Sequence, residues 1–500
     1  MEVTLPKSTC VYLRSALCQV QNQELTQEIR LSDGQPDVGR VLGAWGQVVL
    51  RSKQWHSGEI SASGGIMAWV LYMPENGAQP TCLQNWIPFH MNWPLDDGGR
   101  EGIIRLHCLL RFADARTISA RKLMLRVGIG VHAEAMIPRE LSYSAPGQVP
   151  DGVQLLENTY PLRLPKEAGE KPFLVDDTLS MPDSCPRPEK LIYFIMDPCV
   201  FEKKVVGNKV VFRGNGNLHL LYLSEEGQLH SWDFEVPFSQ FADLEYAYEE
   251  HAHAEVRLCV TSLELELDDE SKLRLKAGLL GQYQVDDRHM LAVAEDAYST
   301  AGCLEPRMEE LLVPGILEQR TQSISIRQEI HQDANILADV CCLRDFPRQH
   351  RNGGQIAWEI PGQLQMLFYD SNRVLQSGNT RFEGQLQMQA HEDSDVQAFV
   401  LPVRNLRADA GAEDIRISAD LPITFGSTAS QCIPSVTGFS LQPSPAGDGG
   451  KPSVILRRVG SDRLWDIAKD TGSTVDAICA VNALDAEPEE ERILLIPIVS

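Results

Sequence analysis

Short runs in which every second residue is apolar recur along the chain, and they predict β-strands with one buried and one wet face. The plainest is Leu263-Glu264-Leu265-Glu266-Leu267, which breaks at Asp268-Asp269-Glu270-Ser271 and resumes at Leu273, a hairpin pattern. Leucine and glutamate are weak strand formers, so pairing with neighbouring strands has to override local preference there. Similar alternation stands at residues 121–127, 272–277 and 414–419, and each run closes one copy of a faint internal repeat. The repeat's other mark is a strand ending in an aromatic residue, at 67–72, 218–222 and 364–369, with Gly65, Gly216 and Gly362 just before. Tyr72 and Tyr222 lie 150 residues apart, and Tyr222 and Tyr369 lie 147 apart. A Pro-Phe pair follows at Pro88-Phe89 and Pro237-Phe238 but has no third copy. The last fifty residues change period: a strand at 454–459, a short amphipathic helix at 461–469, a second helix ending near Asn482, and a strand at 493–497.

These patterns predict a mainly β protein, with three tandem β-rich domains of sandwich or open-barrel type followed by a small βααβ domain. The domains are 1–145, 189–303, 319–441 and 453–500. Between the first two lies a Pro-rich connector, 146–188, carrying Pro161, Pro165, Pro172, Pro182 and Pro186; a joint at 304–318 separates the second and third. Residues 442–452 form a Gly/Ser/Pro linker that has no core to bury.

A chain of 500 residues exceeds one core, which agrees with several domains. Its formal charge of −24 repels phosphate backbones and argues against a nucleic-acid partner, while it attracts basic protein patches. The twelve cysteines show no C-x-x-C pair and no framework, which predicts reduced, mostly buried thiols in a cytosolic compartment. No secretory signal and no apolar run of about 20 residues is visible.

The search for chemistry returns no catalytic constellation, no metal site and no cofactor motif. His251 and His253 are expected on one face of a strand but lack a third ligand of matching spacing, so a solvated face is expected. The stretch His391-Glu392-Asp393-Ser394-Asp395 lacks the glycine and spaced glutamate of a calcium loop and reads as a solvated turn. Gly214-Asn215-Gly216 and Gly447-Asp448-Gly449-Gly450-Lys451 are glycine-rich without phosphate-loop spacing. Cys341-Cys342 falls in a predicted strand, where buried thiols are the rule.

The βααβ order of the tail resembles a LysM module, a fold that binds N-acetylglucosamine polymers or, in some contexts, protein. Its expected core is Leu456, Leu464, Trp465, Ile467, Ala468, Val475, Ile478, Leu494 and Ile496. Trp465 could instead stack on a sugar ring. Asp462 or Ser461 is expected to cap the first helix, Gly472 to end it, and Ser473 with Asp476 to cap the second. The resemblance places a groove at Gly460, Ser461, Asp462, Arg463 and Leu464, and at Asn482, Ala483, Leu484 and Asp485. The usual Gly-Asp-Thr-Leu loop is here Ser461-Asp462-Arg463-Leu464, and an acidic stretch, Glu487-Pro488-Glu489-Glu490-Glu491, lengthens the far side. Arg463 adds bulk and charge where a neutral sugar would rest, so a protein ligand fits better.

Three such β repeats followed by this tail resemble the SPOCS-domain proteins of endospore-forming Firmicutes, of the SipL spore coat morphogenetic type. The marks are the glycine-led strand ending in an aromatic, the segment Ile118-Ser119-Ala120-Arg121-Lys122, and the segment 28–38. The resemblance implies a non-catalytic scaffold in the mother cell at the forespore surface, with the LysM module contacting a coat-basement ATPase. Binding of peptidoglycan is the alternative it leaves open.

Overall fold

The computed structural model describes residues 1–56, 58–77, 79–96, 102–268, 271–411, 413–443, 453–460, 462–484, 488 and 492–499. Strand makes up 79% and helix 3%, in several small sheets and no closed barrel. The alternation therefore led to the right class.

After a short strand, β1 (Glu2–Thr4), the first unit comprises β2 (Lys7–Arg30), β3 (Val38–His56), β4 (Glu59–Pro74), β5 (Thr81–Pro94), β6 (Ile103–Ser119) and β7 (Lys122–Ser144). Its two antiparallel sheets are ordered β2-β7-β6 and β3-β4-β5. The second unit comprises β8 (Val153–Ser180), β9 (Pro188–Ser224), β10 (Leu229–Tyr248), β11 (His253–Leu267) and β12 (Lys272–Ser299). Its sheets are β8-β12-β11 and β9-β10. β9 stands in for two strands, because Gly207 takes a left-handed φ of 60°. The chain returns beyond it, so that Gly214 faces the Cys199 carbonyl and Gly216 faces Met196. The third unit holds β13 (Gly302–His331), β14 (Ile336–Arg344), β15 (Arg348–Asn352), β16 (Gln355–Tyr369), β17 (Leu375–Gln389), β18 (Asp395–Val400), β19 (Arg404–Ala410) and β20 (Asp414–Pro443). There β13, β18 and β19 flank β20, while β14, β15 and β17 flank β16.

The repeat has a physical signature in a cross-strand pair of glycine and phenylalanine. Gly64 lies opposite Phe89, Gly214 opposite Phe238, and Gly362 opposite Phe382. A Cβ at any of the three would overlap the facing ring, so glycine leaves the room that each buried ring fills. The recurring partner is this phenylalanine, and proline is incidental to it, which is why no third Pro-Phe pair exists. The closing strands bury the alternate residues expected: Leu123, Leu125 and Val127; Leu273, Leu275 and Ala277; Ile415, Ile417 and Ala419.

The segments read as connector and joint are strands. β8 occupies most of 146–188, and 304–318 lies inside β13. Proline misleads here because an edge strand tolerates it as readily as a linker does: among the described residues β8 pairs only with β12, leaving alternate N–H groups unneeded. In each unit the first and last strands run on past the sheets as a two-stranded arm. An extra residue marks the departure in all three outer strands, Ala16, Lys166 and Leu317, each a bulge that bends the ribbon. The three arms share a second apolar core of Cys10, Leu141, Leu164, Leu291, Val313 and Ile433, among others.

The units hold one another through paired charges and hydrogen bonds. Lys53 meets Glu170 at 2.8 Å, Arg111 meets Asp345 at 2.7 Å, and Arg344 grips Asp197 with two bonds of 2.5 and 2.7 Å. His219 of β9 donates to Asp339 of β14 at 2.8 Å and to Asp233 of β10 at 2.7 Å. Tyr193 donates to the same Asp339 while stacking on Trp45 of the first unit at 4.7 Å. β1 then pairs with the far end of β20, Val3 opposite Phe439, tying the start of the chain to the third unit.

Two sequence marks meet in the first unit. The Arg121 guanidinium donates to the carbonyls of Gln35, Ser32 and Leu31 and to the Asp37 carboxylate, at 2.7 to 3.4 Å. It closes the turn between β2 and β3. Substituting Arg121→Ala removes these charge-assisted bonds from a half-exposed site, so a loss of about 1.5–3 kcal/mol is expected by urea titration.

Candidate functional site

The tail folds as β21 (Val454–Val459), α1 (Leu464–Thr471), α2 (Val475–Asn482) and β22 (Arg492–Pro497), with β21 and β22 antiparallel. Val459, Leu464, Ile467, Ala468, Ile478, Leu494 and Ile496 are buried between the helices and the sheet. Leu456 is not: it is 70% exposed. The inward phase of β21 runs through Ile455, Arg457 and Val459, one residue out of step with the expectation, and a one-residue slip turns every side chain over.

The capping pattern differs in detail. Gly472 ends α1 in the left-handed region at φ 70°, as expected. Asp462 does not cap α1; its carboxylate pairs with Arg457 at 3.2 Å, and Arg463 holds the cap position without a side-chain bond. The cap of α2 is Thr474, which accepts from the Ala477 N–H at 3.1 Å, while Ser473 is buried and donates to the Pro497 carbonyl. A hydroxyl at either neighbouring position reads alike in sequence.

Of the groove positions, Gly460, Asp462 and Arg463 are exposed and Leu464 is core. Asn482 is committed to the fold: its amide donates to the Ile478 and Leu495 carbonyls and its oxygen accepts from the Leu495 N–H. Ala483 follows in a left-handed turn. Ser461, Asp485, Glu487, Glu489–Glu491 and linker residues 444–452 lie outside the described residues.

Trp465 is buried in the core of the tail, as expected, and its ring packs edge-on against Tyr298 of β12 at 4.8 Å. Its indole N–H donates to Asp296 at 2.9 Å, and Lys469 pairs with the same carboxylate at 2.7 Å. Burial pushes the Asp296 carboxyl up, but the Lys469 ammonium and the indole N–H outweigh it and hold the group below its usual range. Tyr298 in turn donates to the Ser473 carbonyl at 2.9 Å. The tail is therefore docked on the arm of the second unit. Nothing near Trp465 in the sequence announces Asp296 or Tyr298.

Docking leaves the outer face of the β21–β22 sheet uncovered. Val454, Leu456, Ile493 and Leu495 are 47%, 70%, 67% and 41% exposed, and Leu456 lies directly opposite Leu495. Four apolar side chains on one side of a two-stranded sheet make a contiguous patch, and such patches mark contact surfaces. The run Ile493-Leu494-Leu495-Ile496, apolar on both faces, was the available signal for it.

Residues 189–268, which span β9, β10 and β11, match the family model described as SipL, SPOCS domain. The finding supports a SPOCS-type protein. It points to a sporulation-related coat protein and to contact with other coat proteins. No curated protein and no solved structure matches the chain.

The remaining sequence candidates fall to ordinary structure. His251 pairs with Asp287 at 3.3 Å and His253 opens β11, so the two histidines share no ligand set. Among the described residues no group of three metal-ligating side chains converges. Gly214 and Gly216 lie within a paired strand rather than a loop. Residues 391–394 form a turn closed by the Ser394 N–H on the His391 carbonyl. All twelve cysteines are free thiols. No helix among the described residues is long and apolar enough to cross a membrane.

Proposed function

We propose that the chain is a non-catalytic scaffold of the spore coat, held at the forespore surface in the mother cell. In this reading the three units are all of SPOCS type and form the body. The tail is a LysM-like module that contacts a coat-basement protein through its outer sheet face, the ATPase named above being the partner. The observation that carries the reading is the exposed patch of Val454, Leu456, Ile493 and Leu495 on a module fixed to the body by Trp465. A fixed module presents its patch in one orientation, which cuts the ordering cost of binding. Glycan is the second reading. It is disfavoured because Asn482 is spent on β22 and Arg463 projects from the loop where a neutral sugar would lie.

The double substitution Leu456→Asp with Ile493→Asp tests it. Both residues are on the surface, so thermal stability should change little, within about 0.5 kcal/mol per site. Capture of purified coat-basement protein should fall by about 100-fold, as two lost apolar anchors imply. Unchanged capture, or strong sedimentation of the unaltered chain with insoluble peptidoglycan, would overturn the proposal.

A further inference from the structure

The three units meet at a cleft of about 470 Å³. That volume lies in the range of small-molecule sites, roughly 300–1,000 Å³. Every unit contributes to its wall: β3 and β6 from the first, β9 and β11 from the second, β14 and β18 from the third. Val48, Leu109, Met196, Val260 and Leu343 supply its apolar wall. Its floor is Arg257, whose guanidinium lies 3.8 Å over the Phe399 ring.

The charges of this cleft oppose those of the molecule. Its described lining carries Lys203, Arg257, Arg344 and Arg404 against two carboxylates, Asp197 and Glu255. His107 adds no charge near neutrality, since burial pushes its imidazole down to about 3. Arg344 is paired with Asp197 and Arg257 with Glu134 at 3.1 Å, so Lys203 and Arg404 carry the exposed positive charge of this concavity in a chain of formal charge −24. An acidic group entering the cleft would meet the ammonium of Lys203 and the guanidinium of Arg404, with the apolar wall taking the rest of the ligand. Low-dielectric walls strengthen the attraction.

We infer that this cleft binds a small amphipathic anion, a carboxylate, sulfonate or phosphate on an apolar body. The inference stands independently of the coat-scaffold reading. Lys203 and Arg404 are exposed at the cleft and can be changed without touching a core. The probe is anilinonaphthalene sulfonate, titrated by fluorescence into the full chain and competed with decanoate or with decyltrimethylammonium. Saturable binding of one probe per chain is expected, displaced by decanoate and not by the ammonium. Affinity should drop by at least about tenfold in the Lys203→Gln, Arg404→Gln double variant, as loss of two charge-assisted contacts implies. A control pair at remote exposed positions, Arg274→Gln with Arg416→Gln, removes the same net charge and should leave affinity unchanged. The Leu456→Asp, Ile493→Asp chain should also bind normally. Equal loss in the control pair, loss in the Leu456 and Ile493 variant, or no saturable binding would overturn the inference.

Discussion

Replacing His219 by Gln will cost about 3–5 kcal/mol and separate the unfolding of the second and third units. The reason is the company it keeps. Asp339 is wholly buried at the junction, and His219 is the cation that faces it, with Asp233 on the imidazole's other side. Burial alone would push the imidazole down, but the two carboxylates outweigh it and hold it up to about 10. Removing the cation leaves a buried carboxylate without its counter-ion, held by neutral donors such as the Tyr193 hydroxyl. The sign of the pH dependence follows. A histidine whose folded-state value is raised contributes its full stabilisation below its ordinary value of about 6.5, and loses it as pH rises through about 10. The gap between native and His219→Gln chains should therefore be widest below pH 6.5 and close by about pH 10. Adding Asp339→Asn to the variant should recover part of the loss, because the uncompensated charge goes with it. A gap that stays constant with pH would show that His219 acts through packing alone.

The Trp465→Ala chain should lose about 3–5 kcal/mol from the tail while the body keeps its stability. The indole fills the space against Tyr298 and satisfies one side of Asp296, so truncation leaves both a cavity and a weakened acceptor. Hydrogen exchange should quicken in β21, β22 and both helices and stay slow in β11 and β12 beyond the dock. Trp465→Phe retains the ring contact but not the donor, and should cost only about 1–2 kcal/mol. Uniform protection in the Ala variant would mean the module stands without its dock.

What the sequence disclosed depended on whether the cause was local. Alternation at 121–127, 272–277 and 414–419 is a local consequence of half-buried strands, and those residues do bury alternate side chains. The glycine–phenylalanine pairs were half visible. Gly362 was singled out, yet its partner Phe382 lies on the next strand, where only register reveals it. Proline composition cannot separate a linker from an edge strand, so β8 was hidden in plain view. In the tail, Leu456 looked like core because β21 is apolar on alternate residues in neither phase cleanly; Arg457 turns inward to reach Asp462 and Asp470. Trp465 was correctly placed in a core, but the identity of its neighbours is long-range information. The body's bulges at Ala16, Lys166 and Leu317 carry no sequence mark in common.

The reading as a whole rests on the tail being the part by which this molecule attaches. The most direct measurement is fluorescence imaging, in a sporulating cell, of the full chain beside its Leu456→Asp, Ile493→Asp variant and a chain ending before Val454. The native chain should ring the forespore, whereas the other two should spread through the mother cell at equal abundance. Rings of equal intensity from all three would mean that attachment resides in the body, and the assignment of the tail would fall.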